Sequence, residues 1–269
     1  MNKLVSGLNQ KKYSSAISIY YRGDLDFKLA EAIIEYVWLN KGDRHNFQLI
    51  KQDKAKVYKM NFNACDYYLK SYAHRSVTKI LKNFFRPVEA VRIFKTGIKL
   101  INADIAIANP VMALTCKKNL FITDSIFVME KVPGVELYTY LLKFAQYSEN
   151  FKINIIKKIA LLWSRLVCHK FIHLDPGLRN LMIYPKEGDF QIKLIDIDNI
   201  YPMSYVPIKL ILMKNLSRLR RIMLSDVSST KIKALTSLEF SMFFFSFIKD
   251  CKGMVEFDGL KQIFKFLNL

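Results

Sequence analysis

The stretch HLDPGLRNLMIYPKEGDFQIKLIDID, residues 173–198, constrains the fold of this chain more than any other. Its apolar residues fall into two short runs separated by Lys186-Glu187-Gly188-Asp189, which has the composition of a turn. That predicts a loop, a strand, a turn and a second strand running into Asp196 and Asp198. Just before it, Ile155, Ile159, Leu162 and Leu166 recur at helical spacing, with Ile156, Trp163 and Val167 beside them. A long helix with one buried face over about 153–170 is therefore expected. Helix, loop and a hairpin closed by carboxylates together belong to an α+β fold.

The rest of the chain divides at Val132-Pro133-Gly134, the strongest punctuation in the sequence. Upstream, Phe27–Leu39 reads as an amphipathic helix within 45 residues that otherwise carry little pattern. Phe47–Ile50, Ala55–Phe62, Tyr67–Tyr72 and Ser125–Glu130 read as strands, with Asn63-Ala64-Cys65-Asp66 as a hairpin turn. Pro87 and Gly97 bracket a stretch with proline at the start and glycine at the end, as a helix has. Beyond the carboxylate hairpin the chain reads as mostly helical. The 269 residues are enough for two lobes: a β-rich one over 1–130, with 1–45 as an extension, and a mainly helical one over 131–269.

Charge narrows the partners. Lys and Arg number 42 against 23 Asp and Glu, a net +19, so the surface attracts polyanions: nucleic acid, an anionic membrane or an anionic substrate. Lys157, Lys158, Arg165, Lys209, Lys214, Arg218, Arg220 and Arg221 are the cations expected to face such a partner. The alternative for them is an ordinary solvated face. No helix-turn-helix or RNA-binding aromatic signature accompanies the charge, so nucleic acid is not the expected partner. The four cysteines, at 65, 116, 168 and 251, form no CxxC pair and suggest reduced thiols in a cytoplasmic setting. The N-terminus lacks the apolar core of a signal peptide. The apolar run Ser237–Ile248 contains Glu239 and is shorter than the ~20 residues of a membrane span.

Four features then line up in order. Lys70 stands inside an apolar strand, Tyr67-Tyr68-Leu69-Lys70-Ser71-Tyr72. Glu89 is the only carboxylate between Lys70 and Asp104. His173, Asp175 and Asn180 make an HxDxxxxN run, and Asp196 and Asp198 follow in LIDID. Taken singly, a strand lysine is usually a solvated edge residue and a helical glutamate an ordinary surface one. Their order carries the inference. The set resembles the protein-kinase-like fold, and most closely the bacterial kinases that phosphorylate Kdo or heptose of the lipopolysaccharide inner core. The resemblance runs from about Gln48 to Arg221 and takes in Leu212–Arg221.

The resemblance implies a bilobal fold, ATP and Mg²⁺ as cofactors, and a role for each residue. Lys70 would hold the α/β-phosphates and be held by Glu89, with Glu130 also at the nucleotide. Asp196 and Asn180, and Asp198 beside them, would bind the metal. Asp175 would take or orient the proton of the acceptor hydroxyl, and His173 would brace that loop. On an extended strand Asp196 and Asp198 would point the same way. The acceptor implied is a lipopolysaccharide inner-core sugar at the cytoplasmic face of the inner membrane, the protein lying peripherally on that surface.

Departures from the pattern keep other readings open. The expected phosphate loop, Lys51–Lys56, has no glycine, although kinase loops use several. Leu174 replaces the arginine that phospho-controlled kinases carry, and only seventeen positions separate Asp198 from Asn215, with no APE motif. A compact acceptor is favoured over a peptide. Asn215 stands where the sugar kinases usually have an acidic residue. A kinase with a small-molecule or protein acceptor, a pseudokinase and a basic nucleic-acid-binding module are the alternatives. A zinc site on His169 and His173 is rejected: position 170 is Lys, not the Glu of HExxH, and no third ligand follows.

Overall fold

The structure, a computed structural model, describes residues 7–41, 45–53, 55–73, 87–119, 123–143, 146–186, 188–229 and 237–251. Lys54 in the expected phosphate loop, Glu187 in the expected turn, and the side chain of Arg220 lie outside what is described. The chain parts into two units, Met1–Lys99 with Ala108–Lys131 and Leu100–Ile107 with Val132–Leu269.

Seven antiparallel strands make the sheet of the first unit: β1 (Leu8–Lys12), β2 (Ile17–Arg22), β3 (Phe47–Gln52), β4 (Lys56–Phe62), β5 (Cys65–Tyr72), β6 (Pro110–Lys117) and β7 (Thr123–Glu130), in the order β1-β2-β6-β7-β5-β4-β3. Helix α1 (Phe27–Val37) starts at Asp26, whose carboxylate accepts the Lys28 N–H at 2.9 Å. Its Leu29, Ala30, Ile33 and Ile34 are buried with Ile17, Ile19, Leu69, Met112, Leu114, Ile126 and Val128 on one sheet face. Each such aliphatic contributes about 1.5–3 kcal/mol when fully buried, so the first 45 residues supply sheet and core rather than a loose extension. β4 and β5 meet through Asn63 and Ala64 at φ 49° and 61°, so Cys65 and Asp66, expected in the turn, already pair within the ladder. Two successive positive φ values are the primed hairpin turn that matches strand twist.

Helix α2 (Glu89–Asn102) starts over the opposite sheet face, where the Ala90 N–H reaches Ser125 Oγ at 3.4 Å. The expected helix end at Gly97 is corrected: Gly97 is buried inside α2, and the chain leaves the helix at Asp104, φ 54°. A glycine there costs the helix about 1 kcal/mol relative to alanine.

The second unit holds α3 (Leu137–Leu142), α4 (Glu149–Cys168), α5 (Ile208–Ser229) and α6 (Ser237–Asp250), with β8 (Val135–Glu136), β9 (Phe171–His173), β10 (Leu181–Lys186), β11 (Asp189–Leu194) and β12 (Ile200–Pro202). β8 pairs with β10, β10 with β11, and β9 with β12, all antiparallel. Ser148 caps α4, and Ile155, Ile156, Leu162, Trp163, Leu166 and Val167 form its buried face. A Cβ on Gly134 would collide with the Ile183 carbonyl, so only glycine lets the chain pass this close to β10. No helix among the described residues is long and apolar enough to cross a membrane.

Candidate active site

Cross-strand register decides what the first unit offers. Lys70 lies opposite Phe127, and Leu69 opposite Val128. Directly opposed residues share a face. Val128 and Leu69 belong to the α1 face, so Lys70 leaves β5 on the other one, which carries Phe127 and Ser125 and receives the start of α2. Lys70 is buried there, not at a solvated strand edge. Glu89 opens α2, and its carboxylate takes the Arg92 guanidinium at 2.6 Å. Glu130 opposes Tyr67, so by alternation it projects on the α1 face, away from Lys70, and accepts from Asn109 Nδ2 at 2.9 Å. The sheet does not bring Glu130 and Lys70 together.

In the second unit, one loop carries the remaining candidates. β9 ends at His173, and the Leu174 N–H continues to the Asn199 carbonyl at 2.9 Å. The Asp175 N–H donates to His173 Nδ1 at 3.3 Å, and the Asp175 carbonyl accepts from Asn180 Nδ2 at 3.1 Å. Both backbone groups of Asp175 are thereby fixed, while the residue is exposed. Asn180 closes a single 3-10 turn, Leu178–Asn180, and its carbonyl accepts the Ile195 N–H at 3.0 Å. That bond seats the Asp196 segment beside the Asp175 loop.

His173 accepts at Nδ1, so its ring is neutral with the proton on Nε2. Burial pushes its pKa from 6.5 down to about 4, with the Asp196 carboxylate pulling the other way. Its ring lies 5.4 Å from that of Trp163. His173 Nε2 and Trp163 Nε1 are, among the described residues, the buried side-chain polar atoms with no hydrogen-bond partner.

The loop is held from α5. Asn215 is buried; its Oδ1 accepts the His173 N–H at 2.9 Å and its Nδ2 donates to the Phe171 carbonyl at 2.8 Å. One turn on, Arg218 donates to the Leu174 carbonyl at 2.7 Å. Three backbone groups before Asp175, on Phe171, His173 and Leu174, are thus fixed by two side chains spaced i, i+3 on one helix face. Sequence reasoning set Asn215 down as a departure and Arg218 as a surface cation. The signal was an amide among Ile211, Leu212, Leu216 and Leu219, all buried on the same helix.

Several expectations need correction. Strand β11 stops at Leu194, so Asp196 and Asp198 do not share a face of an extended strand. Asp196 Oδ1 instead accepts the Asp198 N–H at 3.2 Å, a local side-chain bond that competes with the ladder. His169, not expected to pair with His173, is the C-cap of α4, while His173 sits on β9. Of the surface cations, Arg218 is spent on Leu174, Arg165 pairs with Asp104 at 2.8 Å, and Lys158 pairs with Asp189 at 2.7 Å. Lys157, Lys209, Lys214 and Arg221 are exposed.

Among the described residues no three His, Cys, Asp or Glu side chains gather as a metal cage. Mg²⁺ does not require one, because it keeps waters and phosphate oxygens and takes one or two protein carboxylates. The hard oxygens of Asp196 and Asn180, on segments joined by a backbone bond, fit that demand. With its Nδ2 committed to Asp175, Asn180 has Oδ1 as the end for a cation.

Comparison with known proteins agrees with this geometry. A solved structure titled "WaaP in complex with acyl carrier protein" matches with a TM-score of 0.56 at 14% identity, over 87% of this chain and 95% of that chain, a likeness of fold. A search of curated proteins finds no match. The model of the Lipopolysaccharide kinase (Kdo/WaaP) family matches residues 44–238, a span that contains Lys70, Glu89, Asp175, Asn180, Asp196 and Asn215. With most of its length matched, the chain belongs to the lipopolysaccharide kinase (Kdo/WaaP) family and is a kinase.

Proposed function

We propose that this kinase transfers the γ-phosphoryl group of ATP to a hydroxyl of Kdo or heptose in the lipopolysaccharide inner core. The observation that carries the reading is Asp175: an exposed residue whose own N–H and carbonyl are bonded, on a loop whose His173 N–H and Leu174 carbonyl are held from α5. A base so held can meet an acceptor hydroxyl without first paying to order itself. Asp175 receives or orients the hydroxyl proton. His173 keeps the Asp175 N–H in place and stays neutral. Asp196 and Asn180 Oδ1 hold Mg²⁺, with Asp198 as a further oxygen donor; the ion supplies neutralisation of phosphate charge.

Lys70 supplies positive charge to the nucleotide phosphates in a bilobal kinase fold. Glu89 supports Lys70 by exchanging its Arg92 partner, an i, i+3 pair with a half-exposed carboxylate and so worth no more than about 1 kcal/mol. Glu130, turned to the other face, is left to mark the end of the strand opposite β5. Between Asp198 and α5 the described chain forms only β12 and a tight turn, which suits a compact sugar better than a peptide. The exposed Lys157, Lys209, Lys214 and Arg221 suit an acceptor bearing carboxylates and phosphates at the cytoplasmic face of the inner membrane.

The test is mass spectrometry of purified core lipopolysaccharide after incubation with the protein, ATP and Mg²⁺. A gain of one phosphate is expected from wild type. Asp175→Asn should lose ~10²–10⁴-fold in turnover while binding ATP as well as wild type does. Asp196→Ala should lose the Mg²⁺ dependence of ATP binding seen by calorimetry. Wild-type transfer by Asp175→Asn would falsify the assignment of the base, and phosphorylation of a generic protein in place of the glycolipid would overturn the acceptor.

A further inference from the structure

Two thiols that phosphoryl transfer does not use face each other in the second unit. Cys168 is the last residue of α4, and Cys251 follows the last residue of α6, its N–H bonded to the Phe247 carbonyl at 3.0 Å. Their sulfurs are in contact at 3.8 Å across a sequence separation of 83 residues. Cys251 is wholly buried and Cys168 half-buried. The other two cysteines are in the first unit, Cys65 exposed on β5 and Cys116 buried on β6.

A disulfide requires sulfurs ~2.0 Å apart with a restricted torsion. Sulfurs already touching approach that through side-chain rotation, without parting the helices that carry them. The pair is also asymmetric in a useful direction. Their mutual hydrogen bond draws the Cys168 thiol below its usual value, while the same bond and burial push the Cys251 thiol up. The thiol of the less buried residue is thus the one that ionises more readily, and the thiolate is the attacking form.

We propose that Cys168 and Cys251 form a reversible disulfide that fastens α6 to the end of α4, made by exchange with a low-molecular-weight disulfide. The Cys168 thiolate attacks one sulfur of the small disulfide, whose S–S bond breaks, and the departing thiolate takes up a proton. Cys251, giving up its own proton, then attacks the Cys168 sulfur of the mixed disulfide and expels the second small thiol. Two protein thiols are oxidised to one disulfide and the reagent is reduced to two thiols, so electrons and protons balance. The bond closes a loop that contains β9, the Asp175 loop, β11, β12 and the Asn215–Arg218 anchor. It is set one turn before β9, next to Lys170, whose φ of 59° already makes a sharp exit from α4.

The experiment uses the full chain, reduced, freed of reductant and incubated natively with oxidised glutathione. Apart from glutathione taken up by the exposed Cys65, intact mass should fall by two hydrogens, and in denaturant Cys168 and Cys251 should be unreactive to a thiol reagent. A non-reducing digest should join the peptides holding Cys168 and Cys251, and dithiothreitol should reverse all of this. Cys251→Ala should stop at glutathione bound to Cys168, whereas a Cys65→Ser, Cys116→Ser double variant should still close the bond. Cys168 and Cys251 still reactive in oxidised wild type, glutathione persisting on Cys168, or a bridge to Cys65 would each overturn the proposal. The wild-type mass decides it even where a cysteine variant fails to fold.

Discussion

His173 sits neutral and buried one residue from the loop that carries Asp175, and its protonation is set against the fold. In the unfolded chain an imidazole titrates near 6.5, and in the native protein burial holds this one near 4. Between those values the unfolded state binds a proton that the native state refuses, so stability is complete above about pH 6.5 and is lost as pH falls toward 4. A shift of this size corresponds to about 3 kcal/mol over the whole window. Asp66, held below the ordinary carboxylate range by bonds from Asn61, Lys131 and Lys59, and Asp189, held there by Lys158, lose their contributions only below about pH 3.8. Urea unfolding from pH 7 to 4.5 should therefore show declining stability in wild type. The slope should flatten in His173→Gln; an unchanged slope would remove His173 as the cause.

Helix α5 is more than a support for the second unit's core, because Asn215 uses both ends of its amide on β9. An aspartate there could still accept the His173 N–H but would set a second acceptor against the Phe171 carbonyl. A leucine would leave both backbone groups unsatisfied. Breaking one buried bond of this kind costs about 1–3 kcal/mol, so thermal melts should rank Asn215 above Asn215→Asp, and that above Asn215→Leu. Turnover should fall in both variants while ATP affinity is spared, since the damage is to the Asp175 loop. Equal stability for all three would mean the amide bonds contribute nothing. This anchor also marks where sequence reasoning stops. The long helix, the hairpin after it and the HxDxxxxN spacing were legible because period and turn composition are local signals. β6 was not, since PVMALTCK is buried almost throughout and shows no alternation, as a central strand does not. β1 was hidden for the opposite reason: LNQKK is exposed, and its partner strand is needed to see it as an edge. Lys70 read as ambiguous until its register against Phe127 placed it inside.

For the molecule as a whole, the excess of +19 remains to be matched by something outside it. Lys209 and Lys214 lie at the start of α5, and Arg221 farther along it; near them Tyr205 is fully exposed and Leu210 more than half so. Cations beside exposed apolar side chains suit an anionic lipid surface, where each basic residue is worth about 1 kcal/mol and salt screens it within a Debye length of about 8–10 Å. Co-sedimentation with phosphatidylglycerol vesicles should be strong at low salt, fall steeply as salt rises, and be weak on phosphatidylcholine. Replacing Lys209, Lys214 and Arg221 by alanine should weaken it without changing ATP affinity, whereas Arg218→Ala should chiefly damage the loop it anchors. Equal binding to both vesicle types at low salt would rule the surface out. The order of the seven strands has a consequence in time. β2 pairs with β6, and Ile19 stands opposite Leu114, so β2 leaves the ribosome well before this partner is made. At roughly 5–20 residues per second that delay is about 5–20 s. Meanwhile α1 has only part of the apolar floor it will cover, because Met112, Leu114, Ile126 and Val128 have yet to be made. The sheet is completed from its flanks inward, and its two middle strands are the last to be synthesised.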